Sequence, residues 1–374
     1  MHVEFEAVSG EDVVLAMVIK EFRQLRRDHR TLAMLIVMPL VLLVVFGYAA
    51  SFDVPNVRTV VVGPAAEQVA GRLPGRLEVV EVRPADGRDG AVTQLRDGRA
   101  TVAVVTGAAP AVLVDGSDLF GARAAVQAFS EAVPAAGGAP LPQVPRPEVL
   151  FNPGLETSVI MVPGLVGIIL VFVGTLATSL GVVRERQSGT LEQLAVMPLR
   201  PRDVFLGKVL PYFVVATVDL VVVVAAGILL FDVPFRGSPA VFALGAVLFL
   251  FVTLGLGVLI SSVSENQGQA IQLALMTLLP QVLLSGLIFP LSAMAAGVRW
   301  LGYVLPLTYF IQISRGVMVR GAPLEALAVP LAALAALGVV VFTLAVVRFR
   351  RDLAPADRGV ARPAEPAPVA GGAR

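Results

Sequence analysis

A chain of 374 residues with a mean hydropathy of +0.81, 56% hydrophobic and 15% charged residues is too apolar for a soluble domain, where about a quarter of residues carry charge. Its formal net charge of +1 and the lack of a long basic tract point away from nucleic acid. There is no cysteine, and His2 and His29 are the only histidines, so disulfides, thiolate sites and cysteine nucleophiles are excluded, and no catalytic residue or metal site is expected.

Residues 1–11 are acidic and polar, unlike the basic start of a signal peptide. Over 12–30, Leu15, Val18, Ile19, Phe22 and Leu25 share one helical face, opposite Lys20, Arg23, Gln24 and Arg27. Such a helix lies in a membrane interface or packs on a partner in the cytosol. Residues 31–52 carry no charge until the span ends, which is long enough to cross about 30 Å of hydrocarbon. The basic residues before this first span place the N-terminus in the cytoplasm.

Residues 53–157 change character. Short β-rich runs at 57–62, 77–82, 101–105 and 111–114 alternate with helical stretches near 65–72, 91–98 and 122–132. They predict a small α/β domain outside the cytoplasm, with the Pro-rich segment 134–147 bringing the chain back. Asp115-Gly-Ser-Asp118 has the look of either a calcium-loop fragment or a β-turn, and the later ligands of a calcium loop are missing.

The core, 158–353, holds five further expected spans: 159–183, 209–231, 240–263, 270–289 and 327–347. The last exits into Arg348, Arg350 and Arg351, and the Pro/Ala/Gly-rich tail, 354–374, is expected to be disordered in the cytoplasm. Six spans put both termini inside. The loop at Ser264–Gln269 has no Lys or Arg to fix its side.

Between the second and third spans lies the longest polar interruption, from Arg184 to Pro211. Ser188-Gly189 permits a sharp change of direction. Thr190 with Gln193 forms a capping-box pattern that starts a short helix, about 188–198, with Leu191, Leu194 and Ala195 on one face and Glu192 off it. Pro198 stops it, and Pro201 with Asp203 opens the next helix. Asp219 is the one formal charge inside an expected span, so it either serves transport or hydrogen-bonds between helices. Farther on, Pro290 and Pro306 leave apolar pieces too short to cross, read either as re-entrant helices over about 285–320 or as a headgroup-level loop anchored by Trp300 and Tyr303.

These residues carry a resemblance. Glu185-Arg-Gln-Ser-Gly189-Thr190-Leu191-Glu192-Gln-Leu194, then Met-Pro198-Leu199, Gly207-Lys208 and Pro211-Tyr212, is similar to the first cytoplasmic loop of type-2 permeases of ATP-binding cassette (ABC) exporters. Val162-Pro163-Gly164 resembles that family as well. So does the series Ser285-Gly286-Leu-Ile-Phe-Pro290, Pro306-Leu-Thr-Tyr309 and Ser314-Arg315-Gly316. The resemblance implies that the N-terminal helix is the elbow helix, that 188–198 is the coupling helix docking on an ATPase, and that the region after Ser285 is re-entrant.

The fold class expected is therefore a polytopic α-helical membrane protein with six transmembrane helices, an N-terminal interfacial helix and a small extracytoplasmic α/β domain between helices 1 and 2. Gly207-Lys208 has Arg202 where the first glycine of a P-loop should stand, so the chain does not hydrolyse ATP. The expected function is the permease subunit of an ABC exporter in the cell (plasma or inner) membrane. It binds no cofactor itself; ATP and Mg belong to the partner ATPase. The partners implied are two ATPase copies, a second permease in a homodimer or heterodimer, and membrane lipid. A secondary transporter would show interrupted spans in both halves and several intramembrane charges. A hydrolase would need a nucleophile and base. A membrane anchor presenting the α/β domain stays open on sequence, as does the substrate.

Overall fold

The computed structural model describes residues 54–135, 145–188 and 201–353, together with Arg23, Leu40 and Gly47. Those three positions apart, the expected interfacial helix, the first span, the segment 189–200 and the tail lie outside the described residues.

Five strands form one mixed sheet: β1 (Val57–Val62), β2 (Leu77–Arg83), β3 (Val102–Val105), β4 (Ala111–Asp115) and β5 (Pro147–Leu150), in the order β2-β1-β3-β4-β5. β1 runs parallel to β2 and β3, β4 is antiparallel to β3, and β5 is parallel to β4. Successive side chains of β3 point to opposite faces, and both faces are covered. Val102 and Val104 cluster with Ala122, Ala125 and Phe129 of α3 (Leu119–Ala135). Ala103 and Val105 cluster with Ala91 and Leu95 of α2 (Arg88–Arg96). A short α1 (Ala66–Ala70) follows β1. The fifth strand departs from the sequence reading, in which the Pro-rich segment was only a connection. Pro147 is the first residue of an edge strand, a position in a sheet where proline is tolerated.

The rest is helical: α4 (Thr157–Gln187), α5 (Pro201–Phe231), α6 (Pro239–Val263), α7 (Gln267–Leu284), α8 (Ala296–Gly302), α9 (Pro306–Arg315) and α10 (Ala328–Leu353). Among the described residues four segments are long and apolar enough to cross a membrane: Thr157–Gln187, Leu210–Phe231, Pro239–Val263 and Glu325–Arg348. The protein is thus a helical membrane protein with a small mixed α/β domain N-terminal to these spans.

The span expected at 270–289 is instead the 18-residue α7, shifted toward the N-terminus. Asn266 starts it, its side chain accepting a hydrogen bond from the Gln269 N–H at 2.9 Å. Its end is fixed at Ser285-Gly286, where Gly286 takes φ +86°, a conformation that cannot continue a helix.

α6 is the centre of the bundle, packed on α4 on one side and α10 on the other. Its contact with α4 depends on absent side chains. A Cβ at Gly257 would lie 2.8 Å from the Thr175 carbonyl oxygen of α4. Without a hydrophobic drive between helices in lipid, such close backbone approach is what holds them together. Phe249 of α6 also stacks on Phe310 of α9, ring centroids 4.4 Å apart, which anchors the short helix in the core.

Candidate functional site

α4 runs from the α/β domain at Thr157 to the opposite end of the bundle at Gln187, so the two ends can be built separately.

At the domain end, β5 turns into α4 through Phe151 and Leu155, both in the left-handed region at φ 66° and 48°. Asn152 fastens the turn: its Nδ2 donates to the Glu156 carbonyl at 3.0 Å, and its Oδ1 accepts from the Glu156 N–H at 3.1 Å. Arg236, in the loop between α5 and α6, donates to the carbonyls of Phe151 and Val319, each at 2.9 Å. Arg320 crosses from the π-helical turn Gly316–Arg320 to the sheet, 3.7 Å from an oxygen of Asp115 and 3.4 Å from the Ser117 hydroxyl. Asp115 is almost fully buried and accepts the Ser117 N–H at 2.8 Å. Burial pushes its carboxyl above the ordinary range, while the Arg320 charge and the bonds from Ser117 pull it back down. The segment Asp115–Asp118 is thus a turn that seats a cation from the protein itself, and no group of three or more metal-ligating side chains occurs among the described residues.

Between the domain and the broken helices lies a cavity of about 530 Å³, lined by Asp115, Asp118, Ser285, Arg299, Arg315 and Arg320 among others. Of the residues singled out in the sequence, Ser285, Gly286, Pro290 and Arg315 line it, whereas Pro163, Gly164, Pro306, Tyr309 and Gly316 do not. Ser285 is buried with no hydrogen-bond partner for its hydroxyl. Gly286 and Pro290 shape the chain below it, the latter leading into a 3₁₀ turn, Leu291–Ala293. Pro306 is the first residue of α9, whose end carries Arg315; the Arg315 Nε donates to the Ile160 carbonyl of α4 at 3.2 Å. The Tyr309 hydroxyl donates to the Tyr303 carbonyl at 2.6 Å, tying α9 to the end of α8. Buried Gly316 opens the π-helical turn. Pro163 and Gly164 lie buried in α4, where a Cβ on Gly164 would overlap Leu287.

At the other end, Glu185 is half-buried in the last turn of α4. Beside it Arg186 donates to the carbonyls of Ser261 at 3.0 Å and Ser264 at 3.1 Å, at the C-terminus of α6. Gln267 donates to the Gln187 side chain at 3.0 Å. The loop at Ser264–Gln269, which has no Lys or Arg, therefore sits beside the basic exit of α4. Gly189, Thr190, Leu191, Glu192, Leu194, Pro198 and Leu199 lie outside the described residues; Gly207 and Lys208 fall within the first turns of α5. Asp219 is half-buried on α5, and its Oδ2 has no hydrogen-bond partner among the described residues.

The family described as "ABC-2 family transporter protein" matches residues 29–347, which takes in the α/β domain, both polar ends and the described helices up to the last turns of α10. The chain belongs to the ABC-2 transporter family. It is 29% identical over 337 residues to the probable multidrug ABC transporter permease YbhS of Escherichia coli K12, covering 82% of this chain and 89% of that one. Similarity to the probable multidrug permease YbhR of the same strain is 28% over 332 residues, 83% and 90% of the two chains. The inner membrane transport permease YhhJ of E. coli K12 is 32% identical over 209 residues, 54% of each chain. As an ABC-2 permease this multi-pass chain is the membrane subunit of an ABC transporter, with ATP hydrolysis left to a partner ATPase.

Three contributions to the ABC-2 permease's architecture were not read in the sequence: the contacts made by Arg320, Arg236 and Arg186. Each acts across more than seventy positions, so no local spacing announces it. The available hint was a cationic residue at a helix end or in a Gly-flanked turn.

Proposed function

We propose that this chain is one half of an exporter with six spans, its α/β domain outside the cytoplasm and both termini inside, in the inner or plasma membrane. α7 is the fifth of those spans, and α8 and α9 are re-entrant. Residues 188–198 form the coupling helix, which docks on one of two ATPase subunits. The observation that carries this reading is the pair of bonds from Arg186 to Ser261 and Ser264, since it joins α4 to α6 where the polar segment leaves the bundle. A push on that segment is then delivered to two packed helices at once. ATP-driven closure of the ATPases biases the bundle between two states, which is the physical requirement for coupling. Near-equal identity to two differently named permeases of one organism supports a heterodimer of sister permeases, and their names support drug-like cargo.

Leu191 and Leu194 are the anchors of the proposed docking face. Each contributes roughly 1.5–3 kcal/mol when fully buried, whereas Glu192 adds a rim charge worth less than about 1 kcal/mol. The double variant Leu191→Ala, Leu194→Ala should remain inserted but bind the ATPase at least about tenfold more weakly, a loss of about 1.4 kcal/mol. A pull-down of the ATPase with ATP hydrolysis measured in the same membranes tests this. Unchanged binding and hydrolysis would remove the coupling role from these residues.

A further inference from the structure

The cavity between the α/β domain and the broken helices is lined by four arginines, Arg58, Arg299, Arg315 and Arg320, and three acids, Glu78, Asp115 and Asp118. Of its acids, buried Asp115 is supplied by Arg320 and the Ser117 N–H, half-buried Asp118 by the Thr101 hydroxyl at 3.3 Å and the Gly121 N–H at 3.1 Å, and Glu78 is exposed. Its half-buried arginines are supplied only in part. Arg315 gives its Nε to the Ile160 carbonyl and is attracted by the Asp118 charge, but its terminal nitrogens have no hydrogen-bond acceptor among the described residues. Arg299 gives one terminal nitrogen to the Ser292 and Met294 carbonyls at 3.0 and 3.1 Å, and its buried Nε has no partner. The Nε of Arg320 is likewise buried without one. Ser285, 2% exposed, lines the same cavity with an unpartnered hydroxyl. A guanidinium presents five donors in a plane and accepts nothing, so the unmet demand in this space is for acceptor oxygens.

We propose that this cavity binds an oxyanionic group, a phosphate or carboxylate, carried on an amphiphile, with Arg315 as the principal contact and Ser285 as a second donor. The amphiphile follows from the apolar part of the lining: Leu291, buried Ile311 and half-exposed Tyr303 line the same space as the arginines. An oxyanion accepts two parallel N–H bonds from a guanidinium, which makes such contacts among the strongest and most directional available. The site stands on geometry at the domain junction and does not depend on the coupling role given to residues 188–198.

The test uses the full chain purified in a nonionic detergent. Trp300, the sole tryptophan, adjoins Arg299 and reports binding by its fluorescence, and native mass spectrometry counts bound molecules. The probes are short-chain phosphatidic acid, short-chain phosphatidylcholine and inorganic phosphate. Phosphatidic acid should bind one per chain. Arg315→Gln should weaken it at least about tenfold and Ser285→Ala about threefold, the sizes expected for losing a charge-assisted and a neutral bond. Arg315→Lys, which keeps the charge and loses the fork, should fall between wild type and Arg315→Gln, and Ser285→Ala guards against misfolding of the arginine variants. Inorganic phosphate binding as tightly as the lipid would keep the oxyanion site and overturn the amphiphile. No binding of either anion, equal binding of phosphatidylcholine, or affinity untouched by both Arg315→Gln and Ser285→Ala would overturn the site.

Discussion

α4 and α5 are helices of 31 residues, each with one internal proline, Pro163 and Pro211, and each apolar enough to cross a membrane. Yet 61% of the apolar window of α4 is buried and only 17% of that of α5. Their residues account for the difference. α4 buries Gly164, Gly167, Gly174, Thr175, Thr178 and Ser179, small or hydroxyl-bearing positions that let neighbours approach its backbone. α5 turns outward Val214, Val215, Val218, Val221 and Val222, all between 54% and 62% exposed. Hydropathy puts a helix in the membrane, whereas small residues decide whether another helix sits against it.

The strongest way to break this comparison is to fill the α4–α6 seam. Gly257→Leu sets a side chain against the α4 backbone at Thr175, which cannot give way as a flexible side chain would. Overpacking of this kind costs about 1–3 kcal/mol, and thermal unfolding in detergent should show it as a clear loss. A variant as stable as the parent would mean that close approach is not what joins α4 to α6.

Asp219 sharpens the contrast from the other side, as the one acidic or basic residue in the apolar stretch Leu210–Phe231 of α5. Its unpartnered Oδ2 predicts that Asp219→Val raises the stability of the chain purified apart from other subunits, by about 1 kcal/mol, the low end of the cost of an unsatisfied buried polar atom. Thermal unfolding measures it, and a loss of stability would reveal a partner. Asp219→Asn separates function from packing: export reduced with assembly intact assigns the carboxylate to the transport path, and normal export assigns it to the packing of helices, where hydrogen bonds are worth about 0.6–2 kcal/mol whichever polar group makes them.

The same contrast explains what could be read in the sequence. Val102–Val105 and Val57–Val62 were legible as strands because β-branched runs bounded by turn residues have few other uses, and the helix breaks at Pro290 and Pro306 follow from proline chemistry. β5 was hidden, since Pro147 masks an edge strand whose pairing partner, β4, lies more than thirty residues earlier. The family resemblance drew attention to Ser285 and Arg315, but not to the cavity that joins them to Asp115 and Asp118. That gathering depends on the α/β domain resting on the ends of α4 and α9, a fact of tertiary structure. Arg186 was noticed as part of a basic helix exit, while its acceptors on α6 lie 75 and 78 positions away.

The smallest effect is expected on the exposed face of α5. Val218→Leu with Val222→Leu adds one methylene at each of two positions that contact little of the chain, 58% and 60% exposed. Leucine is also the better helix former, since it loses less side-chain freedom against the preceding turn than a β-branched valine. The stability of the purified chain should therefore stay within about 0.5 kcal/mol of the parent, the usual range for surface substitutions. The same double variant, co-purified with a sister permease, asks what covers this face in the assembled transporter. If the second permease packs on α5, pairing weakens while single-chain stability holds, because added volume is felt only where the valines meet a partner. A loss of stability in the single chain as large as that of Gly257→Leu would show that α5 is packed as tightly as α4, and the distinction between the two helices would fail.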